Sequence, residues 1–380
     1  MLNRFKGILY DITLFFAASG IRKHRTAKAL MVRVDEIGDF MLWQNFIPEI
    51  VQSERLKGYE LHFCGNRSWK SIFDLEYPHL FQQTIWLDKI SFKKKLFYRF
   101  QFLRIIYKER YDIIINPTYS RAKRIDDAIV RAAKAKRRVG MNRNQENYAW
   151  YEMNFDQHLY TDLFIHKEKP VFEFYRNRLF TEYLTGKKSP VQNITFNSEN
   201  IAAAIDQKLP EKFFVVFPGS RSKSRIWPAS HFIEVSNYLF QQFGWTAVIC
   251  GAHNDAVYAK NFIEQYQHPM MNIVGNTSLP EMLLVLKKAN CLLSVDTGSV
   301  HLASAVGCTV FGIYNGSQYG RFAPYPKELK NNFFAIYPDE VERDIKENKI
   351  SKYELISSIP YLDISPAKVL RKINLHYSSI

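Results

Sequence analysis

Cysteine is scarce in this chain: 380 residues hold four, at Cys64, Cys250, Cys291 and Cys308, far apart and in three cases inside apolar runs. No pair has the spacing of metal ligands, so neither a disulfide scaffold nor a zinc module organises the fold, and buried thiols in a reducing compartment are expected. Long hydrophobic runs are missing too. The apolar stretch at residues 7–21 is interrupted by Asp11 and is too short to span a bilayer, and no secretory leader is read. No Gly-x-Gly-x-x-Gly follows any strand-like run, which argues against a nicotinamide-dependent oxidoreductase. Helix-turn-helix, zinc-finger and RNA-recognition signatures are all absent, which argues against a nucleic-acid partner. Repeats and low-complexity tracts are absent as well.

Positive charge, by contrast, is in surplus. Lys and Arg number 52 against 37 Asp and Glu, a formal net charge of +15, which favours an anionic partner: nucleic acid, a phosphorylated sugar or an anionic membrane face. Hydrophobic residues make up 47%, enough for two full cores in a chain of this length. Residues 7–21 have basic neighbours at Arg4, Lys6, Arg22, Lys23 and Arg25. They read either as an interfacial amphipathic helix or as a helix packed on the first domain.

Strands and helices alternate along the chain. Ala29–Val34 reads as a strand ended by Asp35-Glu36-Ile37-Gly38-Asp39, with one helix from Phe40 to about Gln52. A second strand, Glu60–Cys64, is ended by Gly65; further strands are expected at Tyr111–Pro117 and Arg138–Met141, with a basic helix over 120–136 between them. After a polar, Gly/Pro-containing linker at Leu184–Gln192, strands recur at Lys212–Phe217, Thr246–Cys250, Met271–Val274 and Thr309–Tyr314. The expected organisation is an N-terminal domain over 1–188, with an extension at 1–28, and a C-terminal domain over 189–380. Both are α/β with parallel sheets, leaving a cleft between them. A terminal helix at about Pro366–Leu375 is expected to pack back on the first domain.

Four strand ends carry polar groups. Val295-Asp296-Thr297-Gly298-Ser299-Val300-His301 joins a strand to a helix start, where free N–H groups suit a phosphate. Asp296 or Thr297 reads as the helix cap, and His301 as either a ligand contact or a satisfied core histidine. Pro218-Gly219-Ser220-Arg221-Ser222-Lys223-Ser224-Arg225 offers hydroxyls and three cations, as a pyrophosphate loop or as a solvated basic one. Asp255, after Gly251, reads as a ribose ligand or a helix cap. Asp39 reads as a proton acceptor at the cleft or, again, as a cap.

These motifs, with Trp227-Pro228 and Gly275-Asn276-Thr277-Ser278-Leu279, occur in an order that resembles glycosyltransferase family 9, the ADP-heptose:lipopolysaccharide heptosyltransferases, from about residue 29 to 316. The resemblance implies a GT-B fold, two Rossmann-like domains with parallel sheets facing across a cleft. It implies an inverting transfer without metal or cofactor, at the cytoplasmic face of the inner membrane, from a nucleotide sugar to a phosphorylated lipid-linked saccharide. Asp39 takes the place of the general base, and Arg225 that of the cation on the leaving diphosphate. Ser220, Ser222, Asp255, Thr277, Asp296, Thr297, Gly298 and His301 then bind the donor. Arg225 stands where a Lys is usual, and Asn116-Pro117-Thr118-Tyr119 where Asp-x-x-Gly is more common. Another nucleotide sugar, for an O-antigen or capsule glycan, and a non-catalytic anion binder remain the alternatives.

Residues 92–110 interleave aromatics with seven cations. Together with Arg121 and Arg124, Lys93, Lys94 and Lys95 are expected to meet acceptor phosphates or an anionic membrane; a solvated basic helix is the other reading.

Overall fold

The computed structural model describes residues 2–19, 27–144, 146–147, 158–166, 171–197, 199, 201 and 208–378. The expected basic flank at Arg22, Lys23 and Arg25, and the side chains of Arg4 and Lys223, lie outside that set. The chain divides into two compact units, residues 1–168 with 176–190, and residues 169–175 with 191–380.

Each unit holds a six-stranded parallel sheet, so the expected α/β class is the observed one. The first contains β1 (Lys28–Arg33), β2 (Glu60–Asn66), β3 (Gln83–Leu87), β4 (Ile113–Asn116), β5 (Arg137–Met141) and β6 (Asp162–Phe164). Its order is β3-β2-β1-β4-β5-β6. The second contains β7 (Phe213–Phe217), β8 (Thr246–Ile249), β9 (Met270–Asn272), β10 (Leu292–Val295), β11 (Val310–Ile313) and β12 (Phe333–Ile336), ordered β12-β11-β10-β7-β8-β9. Counted within its unit, each sheet runs 3-2-1-4-5-6, the dinucleotide-fold order, in which the strand order reverses beside the first strand. That switch point falls between β1 and β4 in one unit and between β7 and β10 in the other. Central strands such as β4 and β10 are buried at every residue, as helices on both faces require.

The structure corrects several local expectations. The single helix over 40–52 is three pieces, Ile37–Met41, a 3-10 turn at Gln44–Phe46, and Ile47–Val51. Pro48 has no N–H for the Gln44 carbonyl, and the Tyr77 hydroxyl donates to that carbonyl instead at 2.7 Å. Gly65 lies inside β2 and does not end it: a Cβ there would stand 2.5 Å from the Trp86 ring and 2.9 Å from Trp69. The basic helix over 120–136 shrinks to Asp126–Ala133, almost wholly buried, so Arg121 and Arg124 precede it. Residues 89–109 form two helices, Lys89–Lys94 and Leu96–Glu109, with an extended Lys95 between them. In the terminal helix, Pro366–Tyr377, Val369 and Ile373 join Phe311, Ile336 and Leu239 in the second core. All four cysteines are buried free thiols, and burial pushes the Cys291 thiol up to about 12.

Candidate functional site

In the second unit, turns at the carboxyl ends of β7, β8, β9 and β10 are joined by side-chain contacts. Arg225, from the loop after β7, forms an ion pair with Asp296, after β10, at 3.0 Å. Burial pushes the Asp296 carboxyl above its usual range, and Arg225 pulls it back. Two residues predicted from separate motifs thus meet at the switch point.

The cap expected of Asp296 or Thr297 is not made. Thr297 holds the N-cap position of the helix Gly298–Ala305, but no side chain caps that helix. Its hydroxyl instead bonds to the Ser299 hydroxyl at 2.6 Å, and Ser299 bonds to Ser294 at 2.9 Å. Freed from a side-chain cap, the first-turn N–H groups and the positive end of the helix dipole suit an incoming anion. His301, one turn on, is buried, with Nδ1 2.7 Å from the Tyr325 hydroxyl and its ring stacked on Tyr325. Burial lowers its pKa to about 3, so the imidazole is neutral at pH 7. Whatever His301 offers a ligand is a neutral nitrogen, not a charge.

Asp255 ends a 3-10 turn, His253–Asp255, and takes the N-cap position of the next helix without a side-chain cap bond; its Oδ2 accepts instead from the Ala252 N–H at 2.8 Å, three residues back. The same carboxylate fills space that two glycines vacate. A Cβ on Gly219 would lie 2.4 Å from Asp255 Oδ1, and one on Gly251 would lie 2.8 Å from Asp255 Cβ. Gly275, at φ +75°, brings the Thr277 loop against His253, where a Cβ would be 3.1 Å from the His253 Cα. Ser220 is buried and accepts from the Ser222 N–H at 3.3 Å, while the Ser222 and Ser224 hydroxyls bond at 2.7 Å. Gly219→Ala is therefore expected to cost about 1–3 kcal/mol, because the clash involves the whole Asp255 side chain and not only a mobile tip. Urea unfolding of the variant checks this; an unchanged midpoint would refute the close approach.

In the first unit, Asp39 is the third residue of Ile37–Met41, and Glu36, not Asp39, takes the N-cap position. The flanking Gly38 and Phe40 are buried, and Phe40 stacks on Trp69 at 4.2 Å. The preceding turn is pinned by Asn66 Nδ2 and Trp69 Nε1, which both donate to the Asp35 carbonyl, at 2.9 and 3.1 Å. Sequence reasoning passed over Arg33, the fully buried last residue of β1. It pairs with Asp35 at 2.7 Å and donates to the Pro117 carbonyl at 3.0 Å, to Asn177 Oδ1 at 3.2 Å and to the Asp39 carbonyl at 3.3 Å. A lone cation inside the run Ala29–Val34 was the available signal.

The predicted acceptor-side cations separate. Lys93, Lys94 and Lys95 are exposed. Arg121 adds nothing to the positive surface: it is buried, paired with Asp127 at 3.0 Å and set over the Tyr160 ring at 4.5 Å. Arg124 is half-buried, over the Tyr10 ring at 5.9 Å.

Residues 99–351 match the sequence model of the family described as Glycosyltransferase family 9 (heptosyltransferase). The lipopolysaccharide core heptosyltransferase OpsX of Haemophilus influenzae is 24% identical over 170 residues, 43% of this chain and 48% of OpsX. The chain thus matches about half the length of that curated relative. A glycosyltransferase family 9 structure from Veillonella parvula superposes with a TM-score of 0.67 at 16% identity, covering 93% of this chain and 98% of that one. The ADP-heptose lps heptosyltransferase II of E. coli gives 0.64 at 15% identity, covering 93% and 100%. Both share the fold.

Proposed function

The chain belongs to glycosyltransferase family 9, and on that premise we propose that it transfers heptose from ADP-heptose to a saccharide of the lipopolysaccharide core. The observation that carries this reading is the cluster at the second switch point: an uncapped helix start beside the Arg225–Asp296 pair, with Asp255 held against Gly219. A diphosphate fits the first two, and ribose hydroxyls fit a carboxylate that has one oxygen left to accept. ADP-heptose is the donor in the name of the E. coli enzyme, which supports that choice of nucleotide sugar.

In the proposed reaction an acceptor hydroxyl attacks the anomeric carbon and inverts it. Asp39 takes the hydroxyl proton as the new glycosidic bond forms, and the bond from that carbon to the diphosphate oxygen breaks. Charge on the departing ADP is met by Arg225, by the N–H groups at Gly298 and Ser299, and by the Ser220 and Ser222 hydroxyls. Since these groups can carry that charge, the proposal requires neither metal nor cofactor. The acceptor we propose is a phosphorylated, lipid-linked saccharide, and the proposed place of reaction is the cytoplasmic face of the inner membrane.

A thermal-shift panel of ADP, GDP, UDP and CDP tests the donor site. ADP at about a hundred times its dissociation constant is expected to stabilise the protein by about 2.7 kcal/mol. A response to another nucleotide alone would replace the donor, and silence toward all four would refute the transferase reading.

A further inference from the structure

The helix Leu2–Ala17 covers the first unit with one side and leaves an apolar stripe on the other. Leu14 and Ala17 join the first core, and Gly7 sits so close to Arg124 that a Cβ would clash with its guanidinium. Ile8, Ile12, Phe15 and Phe16 are 58%, 46%, 71% and 59% exposed. At 3.6 residues per turn these four fall within an arc of roughly 100°. A helix that merely covered the domain would turn a mostly polar face outward; here Lys6 and Asp11 are exposed, but so are four large apolar side chains.

Cations are fixed against the same helix from its domain-facing side. Tyr10 donates its hydroxyl to the Lys93 carbonyl, which tethers the exposed Lys93-Lys94-Lys95 run beside the helix. Farther along, Arg104 Nη1 donates to the Ala17 carbonyl at 3.2 Å. The lysine run is itself flanked by exposed apolar side chains, Ile90 at 68% and Phe97 at 72%. The one acid of the helix, Asp11, lies at the edge of the stripe and within the field of Arg99.

We infer that the Ile8-Ile12-Phe15-Phe16 stripe, with the exposed lysine run tethered to the same helix, docks the protein onto an anionic lipid bilayer, the helix lying in the plane of the interface. Exposed apolar side chains together with an exposed lysine run match a surface that is apolar below its headgroups and negative at them. No described helix is long and apolar enough to cross a membrane, so the contact is superficial. A second copy of the chain is a poor occupant, because pairing the face with itself brings lysine runs together in a molecule already at +15. The inference needs only this surface, so it stands or falls apart from the sugar-transfer reading.

The test is co-sedimentation of the full chain with vesicles of phosphatidylcholine containing phosphatidylglycerol, against phosphatidylcholine alone. The wild type is expected to bind the anionic vesicles and to lose binding as salt rises. The combined variant Ile12→Ser, Phe15→Ser, Phe16→Ser should bind at least about tenfold more weakly, with its circular dichroism and ADP response unchanged. Lys93→Gln, Lys94→Gln, Lys95→Gln should reduce anionic binding and its salt dependence together. The inference is overturned if the wild type stays in the supernatant, if the serine variant sediments like wild type, or if both vesicles bind equally. A wild-type dimer that the serine variant splits would also overturn it.

Discussion

Asp39→Asn is expected to lower sugar transfer by about 10²–10⁴-fold while leaving ADP-induced stabilisation intact. The substitution keeps the shape of the side chain and removes its basicity, so it isolates proton transfer from folding. At about 1.36 kcal/mol per decade, that loss raises the barrier by about 2.7–5.4 kcal/mol. The backbone around Asp39 is held by contacts the substitution does not touch: Phe40 stacked on Trp69, Phe63 stacked on Phe73 behind it, and the doubly bonded Asp35 carbonyl. A second readout lies next door. Burial raises the Asp35 carboxyl well above its usual value, Arg33 opposes that, and the Asp39 charge adds to it. With Asn at position 39, the Asp35 titration should therefore move down, which carboxyl-resolved NMR would follow. Release of ADP from ADP-heptose in the presence of acceptor measures the rate; undiminished turnover would mean another group takes the proton.

Strand ends were the legible part of this chain, and the reason is physical. Parallel strands buried on both faces read as unbroken apolar runs, such as Ile113–Ile115 or Phe213–Val216, and each stops where Gly, Pro or an acid turns the chain. Edges do not announce themselves that way. β3 is half-exposed along Gln83–Leu87, and β12 is four residues set in a charged stretch and recognisable only by its pairing of Val310 with Phe333. At the site, types and order of residues were legible, but partners distant in sequence were not. Nothing near Arg121 marks it for burial; its fate is set by Asp127 together with Tyr160, whose hydroxyl donates to the same carboxylate at 2.8 Å. His301 likewise depends on Tyr325, twenty-four residues on, for the contact that accompanies its burial as a neutral ring.

Arg33→Met should destabilise the first unit by about 3–5 kcal/mol, the usual cost of removing one member of a buried ion pair. Methionine approximates the length of the stem, so the loss is electrostatic more than steric. It leaves Asp35 without its cation and takes a donor each from the Pro117 carbonyl, Asn177 Oδ1 and the Asp39 carbonyl. Asp35 Oδ1 already has no hydrogen-bond partner among the described residues, so nothing nearby takes over. The deficit should depend on pH in a definite direction. In the wild type burial holds the Asp35 carboxyl well above the usual carboxylate range, so above about pH 4 the folded state holds a proton that the unfolded chain has released. Stability from this group is complete below the unfolded pKa and falls away as pH rises through the folded one. Without Arg33 the folded pKa climbs further and the window widens upward. The gap between variant and wild type should therefore widen as pH rises through the wild-type folded pKa of Asp35, followed by urea unfolding across a pH series. A gap independent of pH would mean that Arg33 contributes by packing and by holding Pro117 and Asn177, not by compensating Asp35. Because the same guanidinium fixes the Asp39 carbonyl, protein that remains folded should also lose transfer rate, and Arg33→Lys should recover stability more fully than rate, since an ammonium cannot reproduce the fork that spans Asp35, Pro117 and Asn177.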